Sequence, residues 1–225
     1  MSRSALAALL AQGLREVDLS LGEAPIQQLL LYVTEIGRWT ERVNLTGFRE
    51  PERVVRDGIL RSLRLLPFLP EGEGITLADV GSGAGFPGIP LKVARPGLRV
   101  TLIEASRRKA SFLMHAIRLL GLHGISCLRV RVEALEEHPS LRGSFRVVTA
   151  RALAPLPDAI DLLVPLLAPR GLLVIPQGPQ GQVAAMSGER PSRMQLLEFK
   201  HLPATTLLPE ETVAILRPRD VSRET

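Results

Sequence analysis

Apolar residues in the first seventy positions recur every three or four places, a spacing that predicts amphipathic helices. The clearest helix is expected around Pro25, a residue suited to a first helical turn, and its apolar positions are Ile26, Leu29, Leu30, Val33, Ile36 and Trp39. The sequence Asn-Leu-Thr-Gly at 44–47 breaks this helix, and another is predicted from Pro51 or Glu52 to Leu66. Residues 1–70 are therefore predicted to form an N-terminal helical subdomain.

From Ile75 the pattern changes to short apolar runs that alternate with helical segments. The predicted strands are Ile75–Val80, Val100–Glu104, Ile125–Val132, Arg146–Ala150 and Gly171–Pro176. The helices predicted between them are Gly88–Ala94, Ser106–Leu120 and Leu156–Leu167. Two neighbouring strands are expected to follow, at Gln195–His201 and Thr212–Arg217. This order predicts a Rossmann-like α/β domain over residues 71–225, with a mostly parallel sheet and an antiparallel C-terminal edge.

The first predicted strand runs into a glycine-rich loop, Asp-Val-Gly-Ser-Gly-Ala-Gly-Phe-Pro-Gly at 79–88. Gly81, Gly83 and Gly85 allow the backbone to turn sharply and to approach a ligand without Cβ atoms in between. Glu104 ends the next strand, roughly twenty residues on, where doubly wound folds place the carboxylate that binds a ribose. Together the two features predict an adenosine-containing cofactor at the carboxyl end of the sheet.

The choice of cofactor rests on Asp79 and on how the loop begins. Residues 83–88 match the G-x-G-x-x-G pattern of dinucleotide sites, but Gly81 and Ser82 separate that pattern from the strand. A carboxylate at position 79 would also repel the phosphates of a dinucleotide. S-adenosylmethionine has no phosphate and carries a sulfonium and an ammonium group, which a carboxylate attracts. We therefore expect the fold of a class I S-adenosylmethionine-dependent methyltransferase.

The chain is basic, with 28 lysines and arginines against 23 aspartates and glutamates, a net charge of +5 and a pI of about 10.3. This balance favours a polyanionic partner, whereas aromatic residues, at 4%, are too few for a base-stacking platform. One group of arginines recurs at helical spacing and is interpreted as a basic stripe that faces RNA: Arg53, Arg56, Arg61 and Arg64.

Cysteine and histidine usage argues against a metal centre. The single cysteine, Cys127, excludes an intramolecular disulfide and a cysteine-based zinc cluster, and the four histidines show no metal-ligand spacing. No apolar run reaches the length of a membrane span, and the first ten residues are more typical of an amphipathic helix than of a signal peptide. We therefore expect a cytoplasmic protein with no metal and no membrane partner.

Several motifs besides the glycine loop resemble one family. The continuation Phe-Pro-Gly-Ile-Pro-Leu at 86–91 is more specific than the loop itself, and Trp39 with Val-Asn-Leu-Thr at 43–46 matches an upstream segment. Arg-Val-Glu at 131–133 and Ala-Arg-Ala at 150–152 match the family's R-x-E and S-R-A elements. From about Leu29 to the fifth strand, the chain resembles the small-subunit ribosomal RNA methyltransferase G family, also called glucose-inhibited division protein B.

The resemblance implies transfer of a methyl group from S-adenosylmethionine to N7 of a guanine in 16S rRNA, near the decoding region of the small ribosomal subunit. Arg151 would then stand near the methionine end of the cofactor, between cofactor and substrate, and it is the candidate catalytic residue. Its guanidinium could donate hydrogen bonds to guanine O6 or to a phosphate. We expect the protein to act as a monomer.

The expected cofactor-binding set combines the loop residues with positions that the resemblance supplies: Asp79, Gly81, Gly83, Gly85, Phe86, Glu104, Val132, Glu133 and Arg151. In this set Glu104 would bind the ribose hydroxyls, and the backbone amides of Val132 and Glu133 would hold the adenine. The chain departs from the family pattern in two places. Gly58 and Arg61 replace the polar residues of H-x-L-D-S, and Gln177 replaces the lysine of K-G.

Three other functions compete with this interpretation. A methyltransferase of the same fold could act on a different RNA or on a small molecule, because the departures lie outside the cofactor motifs. A cofactor-binding protein without activity could serve as a ribosome assembly factor. A nicotinamide dehydrogenase is the third alternative, although no catalytic histidine or tyrosine follows the predicted strands.

Overall fold

Seven strands form one central sheet within residues 1–48, 50–151, 153, 155–177 and 194–218, the part of the chain that the computed structural model describes. They are β1 (Thr76–Val80), β2 (Arg99–Ile103), β3 (Ile125–Leu128), β4 (Phe145–Ala150), β5 (Leu167–Gln177), β6 (Met194–Leu202) and β7 (Glu211–Pro218). Their order across the sheet is β3-β2-β1-β4-β5-β7-β6. The first five strands run parallel, and β7 runs antiparallel to both β5 and β6. The predicted mostly parallel sheet with an antiparallel C-terminal edge is confirmed.

Helices cover both faces of this sheet. Those that precede it are α1 (Arg3–Glu16), α2 (Glu23–Thr40) and a composite helix made of α3 (Pro51–Arg53), a π-helical segment (Val54–Leu60) and α4 (Arg61–Leu63). Those that connect the strands are α5 (Gly88–Ala94), α6 (Arg107–Leu119) and α7 (Leu156–Leu163). Single 3₁₀ turns or short 3₁₀ helices lie at Leu66–Phe68, Val132–Glu137, Pro139–Leu141 and Val164–Leu166.

Alternation of side chains along the strands gives the sheet two apolar faces. In β1, Leu77 belongs to a core shared with α1, α2, α5 and α6, whereas Ala78 and Val80 belong to a second core shared with α7. The same alternation continues in β7, where Val213 joins the first core and Ala214 the second. A sheet that is buried on both faces needs nearly continuous apolar runs, which is why the strands could be recognised in the sequence.

The N-terminal helices share their core with the sheet. Leu10 of α1, Leu29 of α2 and Ile59 of the π-helical segment lie in the same buried cluster as Val147 of β4 and Val213 of β7. These helices therefore cover one face of the sheet with their apolar sides, as their residue spacing predicts. The division into a subdomain at 1–70 and a second domain at 71–225 stays a prediction.

Some predicted boundaries are wrong for identifiable reasons. β3 ends at Leu128 and does not reach Val132, because Val132 opens a 3₁₀ helix that turns the chain away from the sheet. Helix α7 ends at Leu163 and not at Leu167, because Pro165 lacks the N–H that an α-helix needs there. Leu167 instead begins β5.

Candidate active site at the carboxyl edge of the sheet

The carboxyl ends of four parallel strands meet at one edge of the sheet. Val80 of β1 pairs with Ile103 of β2 and Ala150 of β4, and Ile103 pairs with Leu128 of β3. The residues that follow these strand ends are Gly81, Glu104, Arg129 and Arg151. Open α/β sheets bind their ligands at this edge. Predicted site residues from separate parts of the chain are thus brought to one place.

The loop after β1 has the backbone conformation that its glycines predict. Gly81, Gly83 and Gly85 have φ angles of 71°, 59° and 95°, in the left-handed region that glycine adopts without steric cost. The N–H groups of Gly81 and Ser82 donate to the carbonyl of Ile103 at 2.8 and 3.1 Å. These two bonds tie the loop to the end of β2.

Tyr32, the single tyrosine of the chain, holds the loop from the side of the N-terminal helices. Its buried hydroxyl donates to the carbonyl of Ala84, and burial raises the pKa of Tyr32 well above its usual value. A Cβ atom at Gly85 would lie 2.7 Å from this hydroxyl, so space also requires glycine there. Sequence reasoning missed Tyr32, although a lone hydroxyl in the apolar stretch at 29–33 is a signal that could have identified it.

Asp79 is fully buried in β1, one residue before the strand ends. Its Oδ2 accepts a hydrogen bond from the N–H of Gly88 at 2.9 Å, which fixes the start of α5. Its Oδ1 is buried and has no hydrogen-bond partner among the described residues. A buried carboxylate oxygen without a partner is costly, so this atom is suited to a ligand that carries positive charge or a donor group.

Burial raises the pKa of Asp79 to about 7. The N–H of Gly88, the hydroxyl of Ser82 and the positive charge of Arg151 act in the opposite direction. The negative charge of Glu104 adds a smaller increase. Near neutral pH this carboxyl group is therefore poised between its neutral and ionised forms. A cation placed beside it would favour the ionised form.

Glu104 is buried beside the glycine loop and binds two backbone segments. Its Oε2 accepts from the N–H of Gly83 at 2.8 Å, and its Oε1 accepts from the N–H of Ser106 at 2.7 Å. An ionised carboxylate has about four acceptor positions, so each oxygen keeps capacity for a ligand hydroxyl. The carboxylate thus lies where a ribose beside the loop would need it.

Phe86 anchors the loop to the N-terminal helices. Its ring centroid lies 5.6 Å from that of Tyr32, and a Cβ at Gly58 would lie 2.5 Å from its Cζ. Gly58, one of the departures from the family pattern, therefore leaves the space that the Phe86 ring occupies. The backbone of Phe86 belongs to the loop, and its role in lining the cofactor stays a prediction.

Val132 and Glu133 begin the 3₁₀ helix that follows β3. The first N–H bonded within this helix is that of Ala134, which donates to the carbonyl of Arg131 at 3.0 Å. The helix itself thus provides no acceptor for the amides of Val132 and Glu133, as is usual at a helix start. Free amides fit the predicted contacts with adenine, and the side chain of Glu133 lies outside the described part of the structure.

Arg151 follows β4 and reaches the N-terminal helices. Its Nη2 donates to the carbonyl of Asp57, within the π-helical segment, at 2.9 Å. Burial lowers the pKa of the Arg151 guanidinium, the charge of Arg61 lowers it further, and the carboxylates of Glu211, Asp79 and Asp57 raise it. Arg151 therefore lies in a mixed field of charges between the cofactor loop and the π-helical segment. The following Ala152 lies outside the described residues.

The predicted basic stripe is wrong for Arg61 and Arg64. Both Nε and Nη2 of Arg61 donate to Oε1 of Glu211, at 3.2 and 2.5 Å, and Arg64 donates to backbone carbonyls at positions 203 and 209. Arg53 pairs with Asp57 at 3.0 Å on the same helix. The guanidinium groups of Arg61 and Arg64 bind within the protein, because the composite helix packs against β7 and the loop before it. Nothing in the sequence distinguished Glu211 from its neighbour Glu210.

The two departures from the family pattern lie on opposite faces of the sheet. Gln177 at the end of β5 pairs with Thr212 of β7. Residues that pair directly in a sheet point to the same face, and successive residues point to opposite faces. Glu211, which holds Arg61, therefore lies on the face opposite to Gln177. Gly178, the other residue of the family's K-G position, is outside the described residues.

The residues present fit S-adenosylmethionine better than a dinucleotide. The carboxylate of Asp79 has a buried, unpartnered oxygen for a cationic group, and Glu104 has acceptor capacity for ribose hydroxyls. A Cβ at Gly83 would have no atom closer than 3.8 Å, so the glycine loop leaves open space on that side. Asp79 would oppose any phosphate at the same place.

Two other features of the described ranges bear on the partners of the protein. Among these residues no three or more histidines, cysteines, aspartates or glutamates are grouped so that they could hold a metal ion. None of their helices is both long enough and apolar enough to span a membrane.

Solved methyltransferase structures share this fold at low sequence identity. A SAM-dependent methyltransferase from Aquifex aeolicus matches with a TM-score of 0.53 and 16% identity, over 74% of this chain and 93% of that one. TYW2 from M. jannaschii, solved in complex with AdoMet, matches with a TM-score of 0.53 and 16% identity, over 72% of this chain and 76% of that one. These similarities establish the Rossmann-like class I methyltransferase fold.

Sequence comparison is more specific. Ribosomal RNA small subunit methyltransferase G of Stenotrophomonas maltophilia (strain K279a) is 38% identical over 209 residues, which cover 92% of each chain. The protein of the same name from Sorangium cellulosum is 41% identical over 173 residues, 76% of this chain and 72% of that one. The profile of the GidB family, described as rRNA small subunit methyltransferase G, matches residues 25–211. The chain belongs to the rRNA small subunit methyltransferase G family.

Proposed function

We propose that the protein transfers a methyl group from S-adenosylmethionine to N7 of a guanine in 16S rRNA, near the decoding region of the small ribosomal subunit. The observation that carries this proposal is the meeting of Asp79, Glu104 and the glycine loop at the carboxyl edge of the sheet, with Arg151 beside them. Membership of the methyltransferase G family supports the substrate. S-adenosylmethionine is the cofactor.

The cofactor supplies an electrophilic methyl group on a sulfonium centre. Guanine N7 has a free lone pair and no proton, so this nucleophile requires no general base. The protein's contribution is then to hold the acceptor base in line with the methyl group. Orienting the reactants in this way can lower the activation free energy by up to ~7–11 kcal/mol. Buried side chains and a fixed loop, as seen around Asp79 and Glu104, are suited to that task.

Arg151 is the residue that we propose to orient the guanine. Guanine presents O6 and N7 as acceptors side by side, and an arginine can donate to O6 while N7 remains available for reaction. The guanidinium of Arg151 uses Nη2 for the carbonyl of Asp57, and its other N–H groups have no acceptor among the described residues that would compete with a ligand. The target base must be unpaired or flipped out of its helix to reach this pocket.

A group of exposed arginines at the same edge of the sheet is proposed to bind the RNA backbone. Arg107 and Arg108 begin α6 after Glu104, and Arg129 and Arg131 follow the paired strand β3. All are exposed, and none pairs with a carboxylate among the described residues. Cations in the first turn of a helix are unfavourable for the helix itself, because they lie at the positive end of its dipole. Their position is better explained by phosphate binding.

A salt titration tests this RNA surface. Replacing Arg107 and Arg108 by alanine should weaken binding to 16S rRNA. It should also make the plot of log K for binding against log salt concentration less steep by about one to two, because each lost phosphate contact reduces the steepness by about 0.7–0.9. Arg99→Ala is the matched control, since Arg99 is an exposed arginine at the amino end of β2, far from the pocket edge. An equal slope for wild type and the double variant would contradict the assignment.

Acceptor competition tests the function itself. The protein is incubated with labelled S-adenosylmethionine and small ribosomal subunits from a strain that lacks its own methyltransferase G, with naked 16S rRNA, or with small-molecule acceptors. Label on subunits or on 16S rRNA supports the proposal, and label on small molecules alone would favour another acceptor. Binding of subunits and cofactor without transfer would favour an assembly factor. An rRNA substrate also supports the expected cytoplasmic location, and sedimentation would test the proposed monomer.

A further inference from the structure

The ion pair between Arg61 and Glu211 connects the composite N-terminal helix to the start of β7. The guanidinium donates twice to Oε1 of Glu211, from Nε at 3.2 Å and from Nη2 at 2.5 Å. The side chain of Glu211 is 1% exposed and that of Arg61 is 19% exposed. Such a buried pair cannot lose one partner without leaving a costly unpaired charge.

Glu211 pairs with Arg61 and acts electrostatically on two further arginines. Its charge also acts on the guanidinium groups of Arg64 and Arg151, raising the pKa of each against the effect of burial. Its second oxygen, Oε2, is buried and has no hydrogen-bond partner among the described residues. One carboxylate thus balances a cluster of positive groups beside the pocket, and one of those groups is Arg151.

The composite helix joins this ion pair to Arg151 mechanically as well. Arg151 donates to the carbonyl of Asp57, which lies one turn before Arg61. The N–H of Arg61 donates to the carbonyls of Arg56 and Gly58, so the backbone at Arg61 is bonded to the turn that carries Asp57. A π-helical turn has a wider, less regular bonding pattern than an α-helix and is frequent at functional sites. Displacing Arg61 would therefore displace the acceptor that holds Arg151.

We propose that Arg61 and Glu211 are positioning residues that set the place and direction of Arg151 for methyl transfer. They act through the Asp57 carbonyl and through the charge of Glu211, and neither needs to touch the substrate. In the family pattern quoted above an aspartate stands at this position, whereas this chain has Arg61 there. The inference rests on the proposed function, because its direct readout is transfer to rRNA.

Glu211→Gln is the first test. Glutamine keeps the size of the side chain but removes the charge that faces Arg151, so kcat for transfer to small subunits should fall about 10- to 100-fold, as expected when a reacting group is misplaced. The affinity for S-adenosylmethionine should change less than kcat does, because the cofactor loop is held by Glu104 and Asp79. Glu210→Gln is the matched control, since Glu210 is the exposed neighbour of Glu211. An unchanged kcat in Glu211→Gln would overturn the proposal.

A second variant separates positioning from stability. In the double variant Arg61→Met/Glu211→Met, apolar side chains replace the buried ion pair, a change that often preserves or raises stability. If the pair positions Arg151, kcat remains low although the melting temperature is close to that of wild type. If kcat recovers together with stability, the pair is merely structural and the proposal is overturned. Should this double variant not fold, Arg61→Lys takes its place. We expect a lowered kcat with a smaller change in cofactor affinity. An unchanged kcat would overturn the proposal.

Failure of the underlying function is distinguishable from failure of this inference. Wild-type protein that binds cofactor but transfers no label to small subunits would refute the proposed function. Wild-type protein that transfers label, with Glu211→Gln transferring it equally well, would refute only the positioning role.

Discussion

The two sides of the candidate active site are built in different ways. On the proposed cofactor side, the groups come from one stretch of chain and the next strand: Gly81, Gly83, Gly85 and the carboxylates of Asp79 and Glu104. On the proposed acceptor side, defined here as Arg151 with the π-helical segment, Arg61 and Glu211, the groups come from three distant segments. The first side is determined by local backbone conformation, and the second by tertiary packing of charges.

Two of the departures from the family pattern, Gly58 and Arg61, lie on the acceptor side. A change in the glycine loop would strain the backbone at positive φ, so the loop tolerates little variation. On the acceptor side, an arginine at position 61 finds a carboxylate from β7, and a glycine at position 58 gives space to the Phe86 ring. Such contacts can be exchanged as sets without altering the fold.

The largest effect is expected on the cofactor side. Glu104→Gln keeps the shape of the side chain but removes its charge. The N–H groups of Gly83 and Ser106 both need an acceptor, and the glutamine offers an NH₂ group to one of them. Affinity for S-adenosylmethionine should fall about 100-fold, since each hydrogen bond to a charged group contributes ~1.5–3 kcal/mol. Isothermal titration calorimetry measures this, with the exposed Glu71→Gln as control. Equal affinities for the two variants would show that Glu104 does not bind the cofactor.

The next largest effect is expected on the acceptor side. Arg151→Lys keeps the positive charge but loses the planar set of donors, so kcat for rRNA methylation should fall roughly 30-fold. Affinity for the cofactor should change less than kcat does. Arg146→Lys is the control, because Arg146 lies on the same strand and donates to carbonyls at positions 169 and 170, away from the pocket. A larger loss in cofactor affinity than in kcat would place Arg151 on the cofactor side.

The contact between Gly58 of the π-helical segment and the Phe86 ring of the glycine loop joins the two sides, and Gly58→Ala tests it. The added Cβ would lie within 2.9 Å of three atoms of the Phe86 ring, so the variant should be destabilised by roughly 1.5 kcal/mol through overpacking. Urea unfolding measures the free energy difference. Gly37→Ala in α2 is the matched control, because its Cβ would meet no atom within 4 Å, and it should gain about 0.5–1 kcal/mol. A gain for both variants would contradict the packing of Phe86 against Gly58.

The smallest predicted effect is a pH dependence on the cofactor side. The pKa of Asp79 is about 7 in the folded protein, against an ordinary value of 3.8. Protonation of Asp79 therefore stabilises the folded protein. This stabilisation is fully present below about pH 4 and is lost as the pH rises through 7. A cationic cofactor binds the ionised form, so its affinity should increase up to about tenfold per pH unit below pH 7 and level off above it.

Calorimetric titration of cofactor between pH 5.5 and 8.5, at roughly half-unit steps, measures this slope. Asp79→Asn cannot ionise, and its affinity should show no such rise. Tyr32, Glu104 and Arg151 face the same region, and the asparagine variant keeps all of them. An identical slope in both proteins would assign the pH dependence to a group other than Asp79.

The sequence was sufficient for the sheet, for the cofactor loop and for the position of Glu104. These features have short-range signals: apolar runs of strand length, glycines at alternate positions and a carboxylate at the end of the next strand. The 3₁₀ helix at Val132 and the early end of α7 were not foreseen in detail, because strand and helix ends depend on a few backbone bonds.

The acceptor side could not be predicted in the same way. The spacing of Arg61 and Arg64 indicates only that they share a helix face. It does not indicate whether that face is exposed to solvent or packs against β7. Glu211 gains its importance from burial, which a charged residue next to Glu210 does not reveal. Tyr32 and the π-helical segment likewise acquire their roles only when the N-terminal helices pack on the sheet.

The position of the transferred methyl group is the most direct test of the proposed reaction. Small subunits that lack the modification are methylated with labelled S-adenosylmethionine, and the 16S rRNA is then reduced and cleaved chemically at N7-methylguanine. We predict that label and cleavage coincide at one guanine near the decoding region. Label on another base atom, or no label although the cofactor binds, would contradict guanine N7 methylation by this protein.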